Sequence, residues 1–234
     1  MGSLFMYPNE HFTEHNNPQL IKTIIDNNPL ATVVLMQNKA GVHCPHVSYI
    51  PFHFVSLPEE KASQPLSKLN LAGHISNQHP LAQQLLTSAQ VEITLVFHGG
   101  DHYISPNHFD EEHRTAHNVP TWNYANIHVE GNAFALTDEQ QRRQTIQQTS
   151  EHFEQGIDAN KNNSRWNFQS IPEKSITQML NAITLLNIEI TDIRAHCKMS
   201  QNKSDTIKAS IEERLMNDKQ PQLAHYMSLI RRNI

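Results

Sequence analysis

The chain predicts a mainly β, antiparallel domain with helical additions, of the α+β class, on three observations. Short β-prone runs crowd the middle of its 234 residues. The first two runs are separated only by Asn38-Lys39-Ala40-Gly41, a hairpin-type turn too short for a parallel crossover. Segments with helical apolar spacing gather towards the ends, so strands follow strands instead of alternating with helices. A single β-barrel carrying helices is therefore favoured over a parallel sheet.

The elements follow in order. Pro18 to Asn28 spaces Leu20, Ile21, Ile24 and Ile25 as one helical face, with Asn17 as cap and Pro18 in the first turn. Leu30 to Met36 reads as a buried strand. His43 to Pro51 is its hairpin partner, which Phe52 to Val55 can extend. Leu57 to Ser67 is a loop holding Pro58 and Pro65. Leu69 to His74 is a short strand leading to a helix start, with Ser76 or Asn77 as cap and Leu81, Leu85 and Leu86 as the apolar stripe. Val91 to Phe97 is a strand, and His98-Gly99-Gly100-Asp101 a turn. After a polar loop, Ala125 to Gly131 alternates: Ile127 and Val129 on one face, Asn126, His128 and Glu130 on the other. Thr137 with Gln140 matches a capping box for a helix from Asp138 to Phe153. Asp158 to Trp166 is a polar insertion. Pro172 to Leu180 is a helix capped by Ser170. Ile183 to Ile193 is a long strand that continues to Ser200. Ser204 to Asn217 is an amphipathic helix, and Leu223 to Ile234 a last one. Residues 1–5 are expected to be a tag or an alternative start, 6–200 the barrel domain with helical insertions, and 201–234 a C-terminal helical extension.

Composition narrows the function classes. The formal net charge of -5 argues against coating nucleic acid. The tail from Arg194 onward carries eight Lys and Arg against four Asp and Glu, a local +4 that leaves -9 elsewhere. A solvated helical surface is the ordinary reading of such a tail, and contact with phosphate the alternative. Two distant cysteines, Cys44 and Cys197, fit a reducing compartment. No apolar run reaches membrane-spanning length, and the N-terminus lacks a secretory pattern, so a cytoplasmic location is expected.

Few motifs carry chemistry. There is no GxSxG, P-loop or GxGxxG pattern, and no residue stands out as an acid or base. Of the 16 histidines, His108, His113 and His117 cluster with Asp110, Glu111 and Glu112. Without an HExxH pattern this reads as a solvated loop, and no metal site is expected. Gly73-His74-x-Ser76-Asn77 ahead of a helix could seat a phosphate, although an ordinary capped turn is the commoner outcome. The helix from Ser204 lacks the partner helix of a helix-turn-helix, which argues against direct DNA reading. The stretch from Val91 to Gly131, with Tyr, Trp, Ser, Thr and Asn in its loop, offers a rigid floor for a planar ligand with polar edges.

Several blocks together resemble the PaiB-type FMN-binding negative transcriptional regulators, within the split-barrel flavoproteins related to pyridoxamine-phosphate oxidase. They are Met6-Tyr7-Pro8-x-x-x-Phe12, Gly73-His74 before Asn77 to Pro80, and Tyr103-Ile104-Ser105-Pro106. Val119-Pro120-Thr121-Trp122-Asn123-Tyr124 with His128-Val129-x-Gly131, and Lys198-x-Ser200-Gln201-Asn202-Lys203, complete the set. The resemblance implies an FMN-binding split β-barrel acting as a homodimer, with FMN at the subunit interface. By similarity His74, Ser76 and Asn77 lie near the phosphate, and Thr121, Trp122 and Asn123 by the ring. Tyr103 and Ser105 belong to a matched block, Asn126 faces the flavin, and Lys198, Ser200 and Gln201 come from the second chain. Two positions depart from the family pattern: Asn77 stands where Arg is common, without Arg's bidentate grip on phosphate, and His108 where an aromatic residue is usual. The role implied is transcriptional repression, directly or through a DNA or protein partner. A flavin-dependent oxidoreductase and a haem-binding or haem-degrading protein are the alternatives.

Overall fold

In the computed structural model, residues 12–14, 17–55, 66–109, 111–115, 118–155 and 166–231 are described. The Met6-Tyr7-Pro8 block, the loop at 57–65, Asp110, His117, the insertion at 158–165 and the last three residues lie outside them. The helices are α1 (Pro18–Asn27), α2 (Pro80–Leu85), α3 (Glu139–Glu154), α4 (Glu173–Ala182), α5 (Asp205–Asn217) and α6 (Pro221–Arg231). The strands are β1 (Thr13–Glu14), β2 (Leu30–Lys39), β3 (Val42–Pro51), β4 (His53–Phe54), β5 (Asn70–Ser76), β6 (Val91–Ile104), β7 (Thr121–Ala135) and β8 (Ile183–Lys198). The α+β class with an antiparallel sheet is therefore as expected.

Hydrogen bonding orders the strands β3-β2-β6-β7-β8-β5-β4, with β1 on β8 beside this path. No ladder joins β3 to β4 among the described residues, so the barrel is not closed by hydrogen bonds as a continuous ring. The two ends of the path are nevertheless consecutive in the chain, separated by Phe52 alone. Pro51 has no N–H to continue a ladder, so the chain changes partner there instead of extending β3. The two ends of the sheet path are joined here by the chain itself.

The chain forms two compact units, residues 1–31 with 95–129 and 193–234, and residues 32–94 with 130–192. In the first, Leu20, Ile21, Ile24 and Ile25 of α1 are buried as their spacing predicts, and Asn17 caps the helix through the Leu20 N–H at 3.0 Å. Tyr226 of α6 is fully buried, and its hydroxyl oxygen accepts from the Asn28 amide at 3.1 Å. In the second unit Ile146, Phe168, Ile176, Leu180 and Leu185 form a core under α3 and α4. Buried His53 fastens α3 to β4. Its Nδ1 donates to the Phe54 carbonyl at 3.0 Å, so Nε2 accepts from the Thr149 hydroxyl at 2.9 Å.

Several boundaries differ from those read off the sequence. No turn interrupts His98 to Asp101; β6 runs through it. Gly100 adopts φ +100° there, and the buried positions change from Leu95, Phe97 and Gly99 to Ile104. One extra residue in a strand reverses which side chains face the core, and glycine tolerates the required backbone. Strand β5 continues through Ser76, so neither Ser76 nor Asn77 caps α2. His79 does, accepting from the Leu81 N–H at 3.1 Å. Leu86 follows the short helix and is 76% exposed. Asp138, not Thr137, caps α3, accepting from the Gln141 N–H at 2.8 Å. Ser170 lies in a 3-10 turn, and α4 starts after Pro172 without a side-chain cap.

Candidate functional site

Strand β7 has one buried face and one polar face. Asn123, Ala125, Ile127 and Val129 are all fully buried, so period-2 geometry turns Trp122, Tyr124, Asn126 and His128 to the opposite, outer face. Trp122 is 53% exposed and meets the half-exposed Tyr103 edge-on, ring centroids 5.8 Å apart. Together the two rings offer an open aromatic surface on which a flat ligand can pack. Beside them the Lys198 ammonium donates to the Thr121 hydroxyl and lies 6.0 Å from the Phe12 ring centroid.

The same face continues onto β8. Ala195, Cys197 and Met199 are buried, which sets Arg194, His196 and Lys198 on the other side. The His196 ring stacks on His128 with centroids 4.1 Å apart and planes 5° from parallel. One unit thus brings together exposed aromatic rings, a hydroxyl, an amide and cationic side chains. Those are the groups that a planar aromatic ligand with polar edges and an anionic tail requires. Arg194, His128 and His196 were absent from the sequence-derived candidates. Alternation placed His128 beside Asn126, but only the pairing of β7 with β8 brings His196 and Arg194 to the same face.

Other expected residues take different places. Asn123 is buried: its Oδ1 accepts from the Ser200 hydroxyl at 3.0 Å, and its amide reaches the Met227 sulfur at 3.9 Å. Ser200 holds φ +58° and is buried beside it. Gln201 ties its own turn, accepting from the Met199 N–H at 2.7 Å and donating to the Cys197 carbonyl. Ser105 caps a short 3-10 turn, accepting from the Asn107 N–H at 3.2 Å, while His108 Nδ1 accepts from the Ser105 N–H at 3.3 Å. Burial, with Arg214 nearby, pushes the His108 ring below the ordinary histidine value.

His74, Ser76 and Asn77 belong to the second unit. Asn77 is fully engaged: its amide donates to the Asn181 carbonyl at 2.8 Å, and its Oδ1 accepts from the Thr184 hydroxyl at 2.8 Å. Ser76 accepts from the Gln78 N–H at 3.2 Å. The space over Gly73 is filled by Phe52, whose ring would lie 2.6 Å from an added Cβ, so its missing side chain serves packing and not access for an anion. His74 keeps a buried Nδ1 without a partner, and burial lowers its pKa. His79 is lowered by burial and by His46, whose ring lies 5.3 Å away. At this turn the Asn77 amide is engaged within the chain, and burial holds the two imidazoles towards their neutral form.

Among the described residues no group of His, Cys, Asp and Glu is arranged to hold a metal ion. Nor is any described helix long and apolar enough to cross a membrane. Helix α5 carries Asp205, Glu212 and Glu213 against Lys208 and Arg214, so it offers no basic face to DNA.

Comparison with known proteins gives three results. A family described as "Putative FMN-binding domain" matches residues 6–192. The "Protease synthase and sporulation protein PAI 2" of Bacillus subtilis is 26% identical over 226 residues, covering 96% of each chain. In fold, the chain is similar to the flavocytochrome Anf3 from Azotobacter vinelandii (TM-score 0.51, 17% identity, 85% of this chain and 75% of that one). It is also similar to an FAD- and haem-binding protein from Mycobacterium smegmatis (TM-score 0.52, 15% identity, 86% and 80%).

Proposed function

Since the chain belongs to the FMN-binding domain family matched over residues 6–192, we propose that it binds flavin mononucleotide on the outer face of β7 and acts as a homodimeric regulator. The observation that carries this reading is the exposed Trp122–Tyr103 pair beside Lys198 and Thr121, an aromatic shelf with polar donors at its edge. Trp122 and Tyr103 would pack on the ring, and Lys198, Thr121 and Asn126 would meet its polar edge. A bound flavin supplies hydride and single-electron chemistry; the chain supplies binding, orientation and charge. Asn123 and Ser200 hold β7 on its core from beneath and contribute through position.

The regulatory part rests on relationship. The Bacillus subtilis relative is named for protease synthesis and sporulation and matches this chain along 96% of its length. With no basic face on α5, regulation through a protein partner or through the dimer is favoured over direct reading of DNA by that helix. A second copy covering the aromatic shelf would account for its exposure. Haem is a second reading, favoured by His74, a neutral histidine whose ring nitrogen lacks a partner.

The visible spectrum of the purified protein tests the cofactor. Twin flavin bands support the proposal, a Soret band supports haem, and neither band after incubation with FMN removes the flavin reading. Sedimentation tests the dimer, and an electrophoretic shift with promoter DNA at stated salt tests direct repression.

A further inference from the structure

We propose that a cavity between α3 and the β5–β8 ladder is a second binding site, for a small neutral heterocycle with an amide edge of the kind a pyrimidine base carries. The cavity lies wholly within the second compact unit, uses no residue of the aromatic shelf and does not depend on the flavin reading.

The sheet beneath α3 explains the room. Ala72 of β5 lies directly opposite Asn187 of β8, so the two side chains share one face. Leu185, two residues earlier on β8, is on that face too and is buried in the core with Ile146 of α3. At the Ala72–Asn187 pair the sheet offers a methyl group and an amide instead of a large apolar side chain, and a cavity of about 280 Å³ is left. At about 30 Å³ per water, that is the space of roughly nine waters, enough for one substituted ring.

The walls select the ligand class. Gln141, Gln144, Thr145 and Gln148 line the α3 side, and their spacing of three and four residues puts them on one helical face. Among the described residues none of these four side chains has a hydrogen-bond partner. Elsewhere on the helix, Arg142 donates to the Leu180 and Ile183 carbonyls, Arg143 pairs with Glu173, and Gln147 donates to Glu151. On the sheet side Asn187 uses its Oδ1 to accept from Asn70 at 3.0 Å, which leaves its own N–H groups to give. A carboxamide both donates and accepts, so it can meet an amide edge through two bonds at once, as Asn and Gln meet adenine. None of the described residues lining the cavity is charged, and His53 has both ring nitrogens bonded within the chain. An ion would lose its hydration here and gain no opposite charge, so the ligand is neutral. Val55, Leu136 and Leu186 add the apolar surface that the faces of a ring require.

The test compares uracil with orotate, which is the same ring carrying a carboxylate. Each is titrated into the full-length protein and followed by saturation-transfer NMR. Uracil should bind with a Kd of about 1 mM or tighter, the affinity open to a ligand of about eight heavy atoms. Orotate should bind at least roughly 10-fold more weakly. The double variant Gln144→Ala/Gln148→Ala, which keeps good helix formers at two exposed positions, should weaken uracil by roughly 5-fold to 150-fold, the worth of a two-bond pair. Gln148→Lys should admit orotate, a gain that loss of folding cannot imitate. Uracil affinity untouched by the double variant overturns the proposal, and so does equal binding of the two ligands or no uracil binding at about 10 mM. Uracil binding that Trp122→Ala abolishes, or that FMN displaces, belongs to the aromatic shelf and overturns it as well.

Discussion

Gly73→Ala separates two explanations of the same glycine. In one, the missing side chain lets an anion approach the backbone. In the other, Phe52 needs the space. A Cβ at this position would lie 2.6 Å from Phe52 Cδ1, 2.7 Å from Cε1 and 2.9 Å from the Pro51 carbonyl oxygen. Phe52 is fully buried and cannot swing into solvent, and the carbonyl belongs to the backbone, so the crowding has no inexpensive release. Overpacking of this kind costs about 1–3 kcal/mol. For a chain of this size each kcal/mol lowers the melting temperature by roughly 2–4 °C. Thermal unfolding followed by circular dichroism should therefore show a fall of roughly 2–12 °C. Phe52→Leu should cost stability alone yet recover part of the loss when combined with Gly73→Ala. A coupling of about 0.5–3 kcal/mol is the ordinary range for residues in contact. FMN affinity should follow the folded fraction and nothing else. An unchanged melting temperature with weakened FMN binding would refute the packing argument and return Gly73 to the ligand.

Three further outcomes are expected. Trp122→Ala should weaken FMN binding by roughly 5-fold to 150-fold, the worth of about 1–3 kcal/mol of stacking, and lower stability less than it lowers binding; equal losses in titration and in thermal melts would make Trp122 a packing residue. Thr149→Val leaves the buried His53 Nε2 without its donor and should cost about 1–3 kcal/mol in urea unfolding, with FMN affinity unaltered. The pKa values of His74 and His79 are lowered in the folded state. The unfolded chain therefore binds more protons between the folded values and the ordinary histidine value of about 6.5, so stability should be complete above that pH, decline as pH falls from it towards the folded values, and level off below them. His79→Asn, which keeps a capping side chain without a titrating ring, should flatten that decline in urea midpoints taken across pH.

Much of the architecture was legible because it is written in local periodicity. Leu20, Ile21, Ile24 and Ile25 share a helical face whatever they pack against, and the alternation from Asn126 to Glu130 places Ile127 and Val129 inward in any sheet. Cap positions were less legible. Thr137 and Asp138 are adjacent and both able to cap, as are Ser76, Asn77 and His79 within one turn, and the choice depends on where tertiary pairing lets the preceding strand end. The turn expected at His98 to Asp101 failed for a related reason: two glycines that favour a turn also permit a bulge, and the neighbouring strand decides which forms.

By itself the sequence determined the α+β class, the early hairpin, the buried stripe of α1 and the blocks that tie the chain to its family. Each depends on neighbours a few residues apart, where spacing alone sets which side chains share a face. Only the tertiary structure decided that Asn123 and Trp122, adjacent in the chain, serve opposite sides of one strand with different partners. It also decided that Asn77 is spent on the junction of α4 with β8, and that His196 comes to lie on His128. Those outcomes join residues far apart in sequence, and strand register, which no local pattern encodes, brings them together.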